Sequence, residues 1–354
     1  MTLPTRKLGR NGPTVSAIGL GAMGMGAFYG KSDDEVSFQT LTYAADRGMT
    51  FWDTADIYGH SEELIGQWFT KTGRRSEIFL ATKFGSMNLE TKIRKPDSKP
   101  SYIRREFQRS LEKLQTDYVD LYYQHRVDPE VPIEIVLETL RPFVESGQIK
   151  WIGLSEASIS TLKRAKAVEG IGEKVIAAQM EFSPFELYVE KTGFADVIKE
   201  LGMAVVAYSP LARGMVTGRF KSPAEFEEGD FRKLLPRFTE ENFPKNMKIV
   251  SELEKFAVKY NATKSQITLA WILAEHENFI PIPGIRGIER LEENARGAEI
   301  AISPADVKAI REIVESVEVI GERYYEAGMI SVKGECIPLS EWKGETNGHP
   351  SSAL

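Results

Sequence analysis

The chain has 354 residues, with 45 Lys+Arg against 51 Asp+Glu for a net charge of −6, and 42% of it is hydrophobic. That composition is ordinary for a soluble globular protein. The acidic balance argues against nucleic acid or an anionic membrane as a partner, since either favours a basic face. The single cysteine, Cys336, excludes an internal disulfide, and no two of the four histidines stand three to five residues apart, so no metal is expected. Residues 1–10 carry no apolar core like that of a signal peptide, and no apolar run approaches the ~18 residues of a membrane span. A cytoplasmic, reduced environment is the expectation.

In chain order, residues 6–13 read as a short hairpin turn that caps the lower end of the fold. Eight near-continuous apolar runs then alternate with amphipathic stretches. The runs are 15–21, 50–55, 78–83, 119–125, 149–155, 175–180, 204–210 and 279–284. Unbroken apolar runs suit parallel strands buried on both faces. Helical patterns fall at 33–47, 61–71, 101–114, 133–146, 158–169, 189–200, 245–260 and 288–299. Ser32, Ser61, Ser101 and Ser158 are candidate caps, and Gly48, Gly147, Gly170 and Gly202 candidate stops. Residues 264–274 and 305–317 read as extra helices near the C-terminus. Eight strand–helix units favour a closed (β/α)8 barrel over a doubly wound sheet. The expected organisation is one domain over 1–325 and a partly loose tail over 326–354. Residues 85–100 and 211–244 are longer than barrel connections require, as expected of binding loops or lids.

Gly19-Leu20-Gly21-Ala22-Met23-Gly24 matches the dinucleotide pattern G-x-G-x-x-G. The next helical pattern starts only near Asp33, so the third glycine does not open that helix and the Rossmann reading is disfavoured. A glycine-rich strand exit that lets backbone approach a ligand is the plainer account. Four titratable residues matter more. Asp53 and Tyr58 stand at the exit of the second strand, Lys83 ends the third and His125 ends the fourth. Taken one by one, each is more readily a solvated charge, a cap or a packing residue than a catalyst. Together they sit where barrel chemistry is found. A lysine ammonium near a phenol lowers its pKa from about 10, an aspartate keeps the ammonium charged and aimed, and a histidine can hydrogen-bond a carbonyl oxygen. Such a set polarises or protonates an oxygen gaining negative charge.

These residues fall within Phe51-Trp52-Asp53-Thr54-Ala55-Asp56-Ile57-Tyr58-Gly59. With Asp117 to Arg126, Ile152-Gly153-Leu154-Ser155, Tyr208 to Gly214, Ile282 to Arg286 and Glu293-Asn294, they make the chain resemble the aldo-keto reductases over residues 5–315. The branch it resembles more closely includes fungal and plant pyridoxal- and perakine-reductase-like members. The resemblance implies a barrel that binds NADPH without a Rossmann fold, and a catalytic tetrad of Asp53, Tyr58, Lys83 and His125 with Tyr58 as general acid. It further implies a cofactor path. Gly21, Met23 and Asp53 border the cofactor, Tyr208 stacks on the nicotinamide ring, and Ser155 and Gln179 bond its carboxamide. Ser209, Leu211, Arg213 and Gly214 follow the pyrophosphate. Gly284, Arg286 and Arg290 meet the 2′-phosphate, and Glu293 and Asn294 the adenine. Where family members often carry Asn after Ser155, this chain has Glu156.

The expected function is therefore NADPH-dependent reduction of an aldehyde or ketone to an alcohol. The alternatives are a non-catalytic NADPH-binding regulatory module and a Schiff-base enzyme using Lys83. Phe28, Tyr29, Trp52, Phe84 and Arg126 are candidates for the substrate pocket, and Arg126 could attract a carboxylate or pair with Asp128. The expected partner is a small-molecule carbonyl compound, bound by a monomer.

Overall fold

A computed structural model describes residues 3–26, 33–93 and 95–345. The N-terminal hairpin pairs β1 (Thr5–Lys7) with β2 (Thr14–Ser16). Parallel strands follow: β3 (Leu20–Gly21), β4 (Phe51–Asp53), β5 (Phe79–Phe84), β6 (Val119–Gln124), β7 (Ile149–Ser155), β8 (Val175–Glu181), β9 (Ala204–Tyr208) and β10 (Phe279–Ile282). Each pairs with the next in chain order. The ring closes through a parallel bridge between Gly21 and Gly284, with Gly19 N–H donating to Pro281 O at 2.9 Å. A closed parallel barrel leaves no edge strand. The apolar run expected at 15–21 thus splits between the hairpin and the first barrel strand. Strand β9 stops at Tyr208 because Ser209 takes a φ of 50° and Pro210 follows.

Helices wrap the barrel: α1 (Met23–Gly26), α2 (Asp34–Arg47), α3 (Ser61–Thr72), α4 (Pro100–Leu114), α5 (Ile133–Glu145), α6 (Ile159–Ala167), α7 (Tyr188–Lys191), α8 (Phe194–Glu200), α9 (Asn242–Lys259), α10 (Lys264–Glu275), α11 (Ile288–Gly297), α12 (Pro304–Ser316) and α13 (Glu326–Ser331). Several depart from the sequence pattern for local reasons. The single helix expected over 189–200 is broken at Gly193, whose φ of 70° no helix accommodates. A one-turn helix, α1, contains Gly24, where no helix was expected before Asp33. Helix α9 starts before Pro244, which is tolerated in a first turn because its missing N–H would have no partner there. Ser158 caps α6 through Thr161 N. Ser61 and Ser101 are already helical, and α2 is capped by Asp33; Ser32, Phe28 and Tyr29 lie outside the described residues.

The core has two layers. Side chains between barrel and helices include Trp52, Phe84, Phe107 and Tyr122, while Phe51, Ala81, Leu121, Ile176 and Val206 fill the barrel itself. Leu8 and Val15 of the hairpin close the bottom of that inner cluster. The ring of Tyr123 lies across Gly153, where any Cβ would fall 2.2 Å from it. The segment after the barrel runs back over it. Gly334 O accepts from Ser158 N and Thr161 Oγ1, Ile337 N donates to Pro129 O, and Arg164 donates to Cys336 O and Ile337 O.

Candidate active site

Strand alternation sets the site. Successive residues of a strand face opposite sides, so Asp53 and Lys83 point into the barrel while Trp52 and Phe84 point away. The lateral register sets Trp52 opposite Leu80 and Asp53 opposite Ala81, and Lys83 opposite Tyr123. Lys83 Nζ donates to Asp53 Oδ1 and, at 2.7 Å, to Thr54 O. Asp53 Oδ2 accepts from Gln179 Nε2 at 2.8 Å. Lys83 Nζ also stands 5.0 Å from the centroid of the Tyr58 ring, and the Tyr58 and His125 rings meet edge to face at 5.8 Å. The four residues expected to act together are brought together.

Burial dominates the electrostatics. It pulls the Lys83 ammonium below the ordinary lysine range, with Asp53 opposing and Arg126 adding to the effect. It pushes the Asp53 carboxyl up, against the contact with Lys83. His125 is held well below the usual histidine range by burial, then by the Arg126 and Lys83 charges. A neutral imidazole keeps one N–H to donate and avoids a third cation beside the phenol.

A cavity of about 680 Å³ opens over the C-terminal strand ends. Asp53, Tyr58, Gln179 and Tyr208 line one part, and Arg286, Arg290, Glu293 and Asn294 another. Gly21, Met23, Ser209, Leu211, Arg213, Gly214 and Gly284 also line it. Ser155 is not on that wall. Its Oγ accepts from Arg126 Nη1 at 3.2 Å. Two residues expected to reach a phosphate are otherwise engaged. Arg213 is a fork-to-fork partner of Glu181, at 3.0 and 2.9 Å, and Arg290 donates to Glu293 at 2.6 Å.

The substrate pocket expectations change. Trp52 and Phe84 are fully buried away from the cavity, Trp52 against Trp68 and Phe69, and Phe84 stacked 5.1 Å from Tyr122. Neither is a pocket wall, because the alternation that turns Asp53 and Lys83 inward turns these two outward. Arg126 bonds Ser155 and His125 O, while Asp128 accepts from the backbone of Ser98 and Glu130. Asp33, Ser37, Thr217, Phe220 and Arg232 line the cavity without having been singled out in the sequence. The Arg232 guanidinium lies 4.6 Å and 4.3 Å from the ring centroids of Phe220 and Phe226, bracing the long connection after β9. The length of that connection was the only sequence signal for it.

Polar, titratable side chains gathered at the C-terminal ends of adjacent parallel strands mark a barrel enzyme. Residues 17–315 match the model of the aldo/keto reductase family, and the chain belongs to that family of oxidoreductases. It is 47% identical to aldo-keto reductase yakc [NADP(+)] of Schizosaccharomyces pombe over 92% of this chain and 95% of the relative. It is 45% identical to aldo-keto reductase str7 of Strobilurus tenacellus over 96% of this chain and all of that one. Among solved structures it resembles the thermostable aldo-keto reductase Tm1743 in complex with the inhibitor epalrestat, at 30% identity and TM-score 0.71 over 88% of this chain and 100% of the other. It also resembles glycerol dehydrogenase AKR11B4 of Gluconobacter oxydans, at 26% identity and TM-score 0.77, covering 88% and 95%.

Proposed function

We propose that the protein is an NADPH-dependent reductase of aldehydes or ketones in which Tyr58 is the general acid. The observation that carries this reading is that Tyr58 and Asp53 line the cavity, with the buried Lys83 and His125 packed against the Tyr58 ring and Arg286 and Arg290 on the same cavity's wall. The residues fit the cofactor. The cavity has the volume for an extended dinucleotide, and a Cβ built on Gly284 would meet nothing within 4 Å. Helix α11 begins beside Arg286, and a helix N-terminus favours phosphate. Tyr208 and Gln179 would hold the nicotinamide end, Ser209, Leu211 and Gly214 the pyrophosphate, and Arg286, Glu293 and Asn294 the adenosine end.

The hydride for the carbonyl carbon is what bound NADPH supplies. The chain's own residues handle the oxygen. The Tyr58 hydroxyl gives its proton as the oxygen gains charge and takes one back from solvent. Lys83 stabilises the phenolate left behind, Asp53 keeps Lys83 charged and directed, and the neutral His125 orients the carbonyl by hydrogen bonding. A Schiff-base role for Lys83 is disfavoured, because its Nζ is buried and donated to Asp53 and Thr54 O. On this reading the barrel over 1–325 acts as a single cytoplasmic domain, a monomer, on a small molecule; no helix of the described residues is long and apolar enough to cross a membrane.

The test is Tyr58→Phe, which keeps the ring and removes the acid. General acid catalysis contributes about 10²–10⁴-fold, so kcat should fall on that scale while NADPH still binds. A variant retaining more than roughly a tenth of wild-type kcat overturns the assignment.

A further inference from the structure

Tyr208 does not stand alone at its end of the cavity. Its hydroxyl donates to Glu156 Oε1 at 2.8 Å. Glu156 takes up both arms of Arg323, at 2.8 and 2.7 Å, and also accepts from Glu181 N at 3.2 Å. Arg323 comes from the segment beyond the last barrel helix, and it is buried with Glu156. The backbone of that segment is held at Ile320 by both arms of the Asn246 amide and at Gly321 by Arg237 Nε. Tyr324 brings its hydroxyl to 3.1 Å from that of Tyr208.

Glu156 also sits at a φ of 52°, a left-handed conformation that a glutamate adopts only when its surroundings enforce it. An asparagine takes that conformation more readily than a glutamate. A strained backbone and a buried ion pair are both costly and of little use to stability alone. What they achieve is geometric: the Tyr208 hydroxyl is fixed by a carboxylate that is itself fixed at both oxygens, so the ring keeps one orientation.

We infer that Arg323 and Glu156 are positioning residues, by which the C-terminal segment locks the Tyr208 ring as a platform for the nicotinamide. The inference rests on the proposed stacking of the nicotinamide on Tyr208. The experiment titrates the full chain calorimetrically with NADP+ and with 2′-phospho-ADP-ribose, which lacks the nicotinamide. Arg323→Met should weaken NADP+ by about five- to tenfold, the scale of one misplaced aromatic contact. The nicotinamide-free fragment should bind within about twofold of wild type, since every other contact is retained. Arg323→Lys, which keeps the charge without the fork, should fall between.

Should Arg323→Met unfold, the neutral pair Glu156→Gln with Arg323→Met removes the buried charge and keeps the volume, and the same selective loss is expected of it. Loss of both ligands alike, or of neither, overturns the inference. Tyr208→Ala separates the two readings. If it binds both ligands as the wild type does, the stacking on Tyr208 is wrong and the platform with it. If it selectively loses NADP+ while the Arg323 variants do not, only the lock is wrong.

Discussion

Lys83 Nζ lies 5.0 Å from the centroid of the Tyr58 ring although its hydrogen bonds run to Asp53 and to the carbonyl of Thr54. Its influence on the phenol is therefore that of a held charge, and Asp53 is what keeps it charged against the pull of burial.

Two variants separate these roles by the direction in which the alkaline limb of the pH–rate profile moves. In Lys83→Met the phenol loses its nearby cation, so its pKa rises and the limb moves to higher pH, with kcat down about a hundredfold or more. In Asp53→Asn the ammonium stays but loses the carboxylate that raised its pKa. It then deprotonates at lower pH, and the limb moves down. Steady-state rates across the pH range in both variants test this. Unchanged profiles, or limbs moving the same way, would contradict it.

Asp56 lies three residues from Asp53 in sequence but has a different setting. It is buried, and burial, followed by the nearby Glu62 and Glu106 carboxylates, raises its pKa well above the usual range, with the Ile57 backbone N–H and the Lys83 charge opposing. The folded state therefore holds a proton that the unfolded state releases above its ordinary carboxyl pKa. Such a group lowers stability as pH rises from that value towards the folded one. Asp56→Asn should raise the melting temperature at pH 7, with the gain shrinking towards pH 4. Thermal melts of both proteins at the two pH values decide it, and a gain that is independent of pH would refute this account.

The strand–helix alternation and the strand ends were legible because buried parallel strands leave unbroken apolar runs and because Asp53, Lys83 and His125 interrupt them at their C-terminal ends. The facing of the strand residues was missed at Trp52 and Phe84. An apolar run buried on both sides carries no alternation to say which residue points where, although the inward position of Asp53 and Lys83 implied it. The Glu156–Arg323 pair was invisible for another reason. Its members are 167 residues apart, and only the closed barrel brings the C-terminal segment back over β7.

Phe84 supplies a test of that facing. Cutting a fully buried aromatic side chain to alanine costs about 3–5 kcal/mol. Phe84→Ala should lower the melting temperature markedly, yet leave the relative kcat/KM for small and bulky aldehydes as in the wild type when assayed well below the melt. A changed ranking of substrates at unchanged stability would return Phe84 to the pocket.

Arg286 is expected to set the preference for NADPH over NADH. The two cofactors differ only in the 2′-phosphate, and the planar fork of an arginine suits phosphate. Two arginines border that part of the cavity, and Arg290 pairs with Glu293, three residues on in the same helix. Arg286 follows the last barrel strand, with its stem against Gly24. A hydrogen bond to a charged group contributes about 1.5–3 kcal/mol, and 1.4 kcal/mol is a factor of ten. Arg286→Ala should therefore lower kcat/KM with NADPH by about ten- to a hundredfold and leave NADH nearly untouched. Arg290→Ala should cost about threefold or less, as a partly exposed contact already shared with a carboxylate. High salt should narrow the wild-type preference, because Arg286 is solvent-exposed and its contact is screened. The measurement is kcat/KM for both cofactors in all three proteins, at low and high salt. Equal use of the two cofactors by the wild type, or equal losses for both in Arg286→Ala, would remove Arg286 from this role.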